Sequence, residues 1–174
     1  HKAVASVMPV RKQLGFPTIF NLLGPLSNPC NAGRQLLGVW GDQYVVPVAE
    51  ALLQGSTTKS AVVHSSDGLD EVSISAPTRM LLIEGGSLTE STINPEELGL
   101  SYSKIEDLVA SDLEQATAFV RDTLAGTLHG GIRDMVLINV SVGLFRADRA
   151  RDLSEGVQME SDTIDSGRAN ETLV

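Results

Sequence analysis

The chain has 174 residues, 42% of them hydrophobic, with 13 Lys and Arg against 22 Asp and Glu for a formal charge of −9. That length suits one compact α/β body able to bury a sizeable core. The basic residues are scattered, so no cationic stripe exists for a nucleic-acid backbone, and nucleic acid is excluded as an expected partner. Cys30 is the sole cysteine, which rules out an internal disulfide and a Cys-rich metal centre. No apolar run approaches the roughly 18 residues of a membrane span, so no membrane partner is expected.

In chain order, Met8 to Gly15 reads as a short helix with Pro9 in its first turn and Gly15 as its stop, which places Arg11 on the helix. Asn21-Leu22-Leu23-Gly24-Pro25-Leu26-Ser27-Asn28-Pro29 follows. Gly24 lacks a Cβ, Pro25 and Pro29 fix φ, and Asn21 and Asn28 can bond nearby backbone, so this stretch is expected to be a rigid loop whose bare backbone can lie against a flat ligand.

Gln35 to Trp40 and Ala61 to His64 are short apolar runs suited to buried parallel strands, with helical spacing from Tyr44 to Gln54 between them. The unit is βαβ, whose functional loops lie at the C-terminal ends of its strands. Val72 to Ser75 and Met80 to Ile83 read as two further strands, and Gly85-Gly86 as the hairpin turn leading to Leu88 to Ile93. Helical spacing returns from Asp112 to Leu124, with Ser111 as cap and Gly126 as stop. Ile132 to Ala147, apolar on most faces, is expected as a buried helix. Leu153 to about Glu171 reads as a last, polar helix.

The chemically richest segment is His64-Ser65-Ser66-Asp67-Gly68-Leu69-Asp70-Glu71. Asp70 and Glu71 offer adjacent hard oxygens after a glycine turn, which fits Mg²⁺ that keeps waters and shares substrate phosphates; it fits equally a solvated acidic start to a strand. Arg11 by itself reads as a surface cation. His64 reads as a residue that orders its loop by hydrogen bonding rather than as a general base. Leu128-His129-Gly130-Gly131 is better taken as a turn between helices than as an anion site, although glycine amides at a helix start can hold phosphate. The chain has no nucleophile elbow, no H-E-x-x-H and no paired-Cys motif.

Taken together, Arg11, the Asn21–Pro29 run and the His64–Glu71 run, with Arg133-Asp134 and Asn139 further on, resemble the C-terminal half of the anthranilate phosphoribosyltransferase family over almost the whole chain. The resemblance implies a mixed, largely parallel sheet flanked by helices, as in the large domain of the nucleoside phosphorylase/phosphoribosyltransferase family. It implies transfer of a 5-phosphoribosyl group from 5-phosphoribosyl 1-diphosphate to anthranilate in tryptophan biosynthesis. Arg11, Gly24, Pro25 and His1 then match anthranilate-binding positions, Asp70 and Glu71 match Mg²⁺ ligands, and no residue matches an acid or base. Ser65 departs from the glycine common in the family.

The family's Gly-Thr-Gly-Gly-Asp donor loop and Lys-His segment do not occur in this chain, and it opens at His1 inside a family motif. Residues 1–174 are therefore expected to be the C-terminal part of the α/β domain, from a protein about twice as long, without the helical N-terminal domain and inactive alone. The full-length protein is expected to be a cytoplasmic homodimer. The same superfamily contains pyrimidine-nucleoside phosphorylases, which the Arg11 and Asn21–Pro29 match disfavours. It also contains a non-catalytic nucleic-acid-binding relative, which the −9 charge opposes.

Overall fold

The computed structural model describes residues 9, 13–15, 18–27, 32–55 and 57–173, with the side chains of residues 20 and 25 left aside. His1 and Arg11, and most of the expected Met8–Gly15 helix, lie outside the described residues; Pro9, Gln13 and Leu14 have helical backbone.

The first described helix, α1, spans Ile19–Leu26. This corrects the expected rigid loop: Gly24 and Pro25 belong to a helix. The Thr18 amide donates to Asn21 Oδ1 at 3.1 Å, so Asn21 does bond local backbone, but at a helix N-terminus. Leu22 and Leu26, one turn apart, pack against the hydrophobic core. Their burial outweighs the poor helix propensity of glycine and proline, and the helix ends one residue after Pro25.

Strand β1 (Arg34–Gly38) leads through a 3₁₀ turn at Asp42–Tyr44 into α2 (Val45–Gln54), then β2 (Lys59–Ser65). After a loop come β3 (Thr78–Glu84) and β4 (Ser87–Ile93), joined at Gly85-Gly86, both with positive φ. The sheet order is β1-β2-β3-β4. β1 and β2 are parallel, in the expected βαβ unit, while β2–β3 and β3–β4 are antiparallel. The α/β class is as expected, and the described sheet is mixed rather than largely parallel.

The expected strand at Val72 to Ser75 is absent; this stretch is irregular, with bends at Ile74 and Ser75. Its backbone is served by side chains instead of a neighbouring strand. Asn139 bonds both backbone groups of Val72, and the Ser73 amide donates to Thr78 Oγ1 at 3.0 Å. Val72, Ser73 and Ile74 are all buried, whereas a strand with one wet face would alternate.

Helix α3 (Leu113–Leu124) is capped by Asp112 rather than by the expected Ser111: Asp112 Oδ1 accepts from the Gln115 amide at 2.8 Å. Helix α4 (Gly131–Arg146) follows the turn at Gly130, which has φ +79°. A Cβ at Gly131 would lie 2.6 Å from Ser103 Oγ and 2.8 Å from Leu108 Cδ2, so this glycine pair serves a turn and a close approach. The expected single final helix is two, α5 (Leu153–Asp165) and α6 (Arg168–Glu171), divided at Gly167 with φ +81°.

Alternation along the strands divides the core. Ala61, Val63 and Met80 face Leu137, Ile138 and Val142 of α4 together with Val157 and Ile164 of α5. Val62, Leu81 and Ile83 face Val45, Val48 and Leu52 of α2. Helices thus cover both faces and leave the strand ends for function.

The end of the sheet holding the start of β2 is closed by ions. Lys59 Nζ meets Asp148 at 2.6 Å and Glu84 at 2.7 Å, and Arg34 meets Asp148 at 2.7 Å. Arg146, 3% exposed, reaches Glu84 at 3.4 Å. Lys59 holds the Glu84 and Asp148 carboxyls below their ordinary values of 4.5 and 3.8 chiefly by hydrogen bonding. Such groups bind protons less tightly folded than unfolded, so they stabilise the fold above the ordinary carboxylate range and the contribution is lost as pH falls through their lowered values. We expect acid unfolding monitored by circular dichroism to steepen below about pH 4.5, and Lys59→Met to flatten part of that limb; an unchanged acid profile in the variant would show that the cluster contributes nothing.

Candidate functional site

Because β1 and β2 run parallel, their C-terminal ends reach the same edge of the sheet, and the loop from Ser66 to Pro77 stands over that edge. Its first turn is built by Asp67 and Gly68. Gly68 has φ +95°, and Asp67 Oδ1 accepts from the Leu69 amide at 3.2 Å while Oδ2 accepts from Ser73 Oγ at 2.6 Å. Desolvation pushes the Asp67 carboxyl up, but hydrogen bonds from Ser73, Ser65, the Leu69 amide and Ser75 outweigh it and hold the group below its ordinary value. Asp67 is thus an ionised structural pin.

The next two carboxylates differ. Asp70 and Glu71 are exposed, and neither side chain has a hydrogen bond or ion pair among the described residues. Desolvation of the Glu71 carboxyl, followed by the adjacent Asp70 charge, pushes its pKa up. Negative charge accumulates here without compensation, which favours a cation. No group of three or more His, Cys, Asp or Glu able to hold a metal exists among the described residues. Two carboxylates with solvent around them suit a hard ion that keeps waters and takes further oxygens from a substrate.

The loop comes so near β1 that a Cβ on Gly38 would stand 1.5 Å from the Asp70 carbonyl oxygen. This glycine, which carries no signal of its own inside an apolar run, sets the height of Asp70 over the sheet. His64, at the end of β2, bonds the Val39 carbonyl through Nδ1 at 2.8 Å. A carbonyl can only accept, so Nδ1 carries the hydrogen and His64 ties β2 to the segment after β1, as its ordering role requires.

Beside His64 opens a cavity of about 450 Å³ that also takes in Asp42, Ser66, Pro77, Arg79 and Glu90. Arg79 in it is fully engaged, with Nε to Glu90 and Nη1 to Asp42 both at 2.8 Å, so it is not a free anion receptor.

Among the other sequence candidates, Gly24 is exposed on α1, and among the described residues nothing lies within 4 Å of where its Cβ would stand. Pro25 lies on the same helix. The structure brings Asp70 and Glu71 together and puts Gly24 and Pro25 on a separate element, while Arg11 and His1 fall outside the described residues. Arg133 joins α4 to α5 through Ser161 at 2.9 Å and Asp165 at 2.8 Å. The site residue given least weight in the sequence is Asn139; its signal is an amide set between Leu137-Ile138 and Val140 in an otherwise apolar helix.

Residues 1–170 match the model of a glycosyl transferase family, a/b domain. The chain belongs to that glycosyltransferase family. Its relatives include the anthranilate phosphoribosyltransferase of Parvibaculum lavamentivorans, 44% identical over 173 residues that make up 99% of this chain and 50% of the relative. Solved structures agree. Anthranilate phosphoribosyltransferase from Thermus thermophilus is 35% identical with a TM-score of 0.88, over 98% of this chain and 50% of that one. The Saccharomyces cerevisiae enzyme in complex with PRPP and Mg is 28% identical with a TM-score of 0.88, over 99% and 50%. The chain spans about half the length of the curated relatives it matches.

Within the family fold, Gly38 is the tightest constraint on the loop. Gly38→Ala is expected to lose about 2 kcal/mol or more of stability, because the atom met is backbone that no rotamer change can move. Thermal unfolding checks this; an unchanged melting temperature would mean that the loop is free to lift from β1.

Proposed function

We propose that the protein to which this chain belongs is an anthranilate phosphoribosyltransferase of tryptophan biosynthesis, and that Asp70 and Glu71 hold Mg²⁺ for its donor, 5-phosphoribosyl 1-diphosphate. The observation that carries the reading is the pair of unpaired carboxylates at the strand C-terminal edge, one of them with a raised pKa, in a chain whose relatives bear that enzyme's name. It is further supported by the bound PRPP and Mg of the yeast relative.

In the reaction, the amine nitrogen of anthranilate forms a bond to C1 of the ribose as the C1–O bond to diphosphate breaks, the electron pair leaving with the diphosphate oxygen and the amine proton passing to solvent. Mg²⁺, when bound, neutralises charge on the departing diphosphate. Asp70 and Glu71 supply its protein oxygens. Arg11 meets the anthranilate carboxylate with two parallel hydrogen bonds, as a planar guanidinium can, and the α1 segment at Gly24 and Pro25 receives the flat ring. His1 lines the approach for the acceptor. The aromatic amine is already nucleophilic, so positioning and charge neutralisation suffice without a protein base.

The same reading makes residues 1–174 the C-terminal part of the α/β domain, with donor phosphates held largely by other parts of the full-length protein. β1 supports this. It has one neighbour among the described residues, yet Leu36 and Leu37 pack into opposite core clusters, the pattern of an interior strand. The full-length protein would be a cytoplasmic homodimer. No helix among the described residues is long and apolar enough to cross a membrane.

Loss of anthranilate fluorescence in the presence of donor and Mg²⁺ tests the proposal. Full-length protein is expected to turn over and residues 1–174 alone to show none; an inactive full-length protein would refute the assignment. Arg11→Ala should raise the anthranilate KM by about 2–4 kcal/mol equivalent with little change for the donor, and Arg11→Lys should recover part of it. Asp70→Asn and Glu71→Gln should each shift the Mg²⁺ dependence with the melting temperature preserved. A normal Mg²⁺ curve in both would remove them from the metal site.

A further inference from the structure

The carboxylate pair stands on a stretch without sheet pairing, so something else must fix it. Val72, directly after Glu71, is fully buried and has its two backbone groups bonded by one side chain: Asn139 Oδ1 accepts from Val72 N–H at 3.0 Å, and Asn139 Nδ2 donates to the Val72 carbonyl at 2.8 Å. The second Nδ2 hydrogen goes to the Met135 carbonyl at 2.9 Å, one turn back along α4, which locks the amide against its own helix. A primary amide presents one donor face and one acceptor face in a plane, the same pair that a neighbouring strand would offer. No other side chain of similar size makes all three bonds: Asp lacks the donors, and Leu lacks both kinds of group.

We propose that Asn139 is a positioning residue for Asp70 and Glu71: it acts as a one-residue strand that clamps Val72 to α4, while Gly38 sets the distance from β1 on the other side of the pair. This rests on the metal reading of the pair given above. The clamp touches neither substrate nor metal. It restricts the backbone from which both carboxylates project, so it should govern how well they share one cation and should leave the acceptor end unaffected.

The test uses full-length protein with Asn139→Ala, Asp70→Asn and a control, Leu52→Ala, which opens a cavity in the core cluster between α2 and the sheet, a cluster that holds none of residues 70–72. Three quantities are read: the Mg²⁺ concentration for half-maximal rate at saturating substrates, the anthranilate KM, and Mn²⁺ binding by electron paramagnetic resonance with 5-phosphoribosyl 1-diphosphate present. Amide exchange at Val72 in metal-free protein is followed in parallel. Asn139→Ala is expected to weaken Mg²⁺ and Mn²⁺ roughly 10- to 100-fold and to speed Val72 exchange, with the anthranilate KM within about twofold of the parent. Leu52→Ala should lower the melting temperature without moving the metal.

If Asp70→Asn shifts the metal and Asn139→Ala does not, the clamp is overturned. It is overturned too if Asn139→Ala and Leu52→Ala weaken metal and acceptor alike. If Asp70→Asn itself leaves metal binding unchanged, the metal reading fails instead. Should Asn139→Ala not accumulate as folded protein, Asn139→Asp, which keeps the acceptor for Val72 N–H and removes both donors, is put through the same measurements.

Discussion

A carbonyl oxygen lying where a Cβ would stand on Gly38 sets the geometry at the working edge of this sheet. The contact joins the backbone of β1 to that of the loop after β2, two segments that run without hydrogen bonds to each other. Proximity of this kind requires a residue with no side chain on one side and a firmly held loop on the other. The holding comes from side chains: Asp67 accepts from the Leu69 amide and Ser73, Thr78 accepts from the Ser73 amide, and Asn139 serves Val72. Both backbone groups of Val72, the Ser73 amide and the Ile74 carbonyl thereby find partners without strand pairing.

That substitution of side chains for a strand explains what the sequence could and could not reveal. β1, α2, β2, β3 and β4 were legible because their apolar periods and turn glycines agree with their tertiary neighbours. Val72 to Ser75 carries the composition of a strand but no strand comes to it, and nothing in a local window announces that an amide 67 positions away will do so. The Asn21–Leu26 stretch failed in the opposite sense. Its glycine and proline argue against a helix, and two leucines one turn apart overrule them through burial that a local reading cannot weigh. The single final helix failed at Gly167, where a positive φ divides α5 from α6.

The acidic pair itself was legible, since two adjacent carboxylates after a glycine turn are visible in any alphabet. Its surroundings supply the distinction between a site and a solvated turn. Asp42 and Glu90 are held by Arg79, and Asp67 by hydroxyls and an amide, so these carboxylates at the same edge are already compensated. Asp70 and Glu71 have no such partner among the described residues. The opposite end of the sheet shows that the chain is able to neutralise its acids when they serve stability: Glu84 and Asp148 are each met by two cations.

The two ends therefore spend the same residue type differently. Where Lys59 pairs with Glu84 and Asp148, the carboxyl pKa values fall and the charge is used in closing the fold. Where Glu71 stands beside Asp70, its pKa rises, first because the carboxyl is partly desolvated and then because the neighbouring Asp70 charge is not compensated. A net charge of −9 says little about function by itself, since most of it is either paired or dispersed. What carries chemical meaning is that two adjacent uncompensated carboxylates stand on a loop whose backbone is pinned from two sides. A cation arriving there removes a repulsion already present in the fold and meets carboxylates whose backbone is set before it binds, so less ordering is left for the binding event to supply.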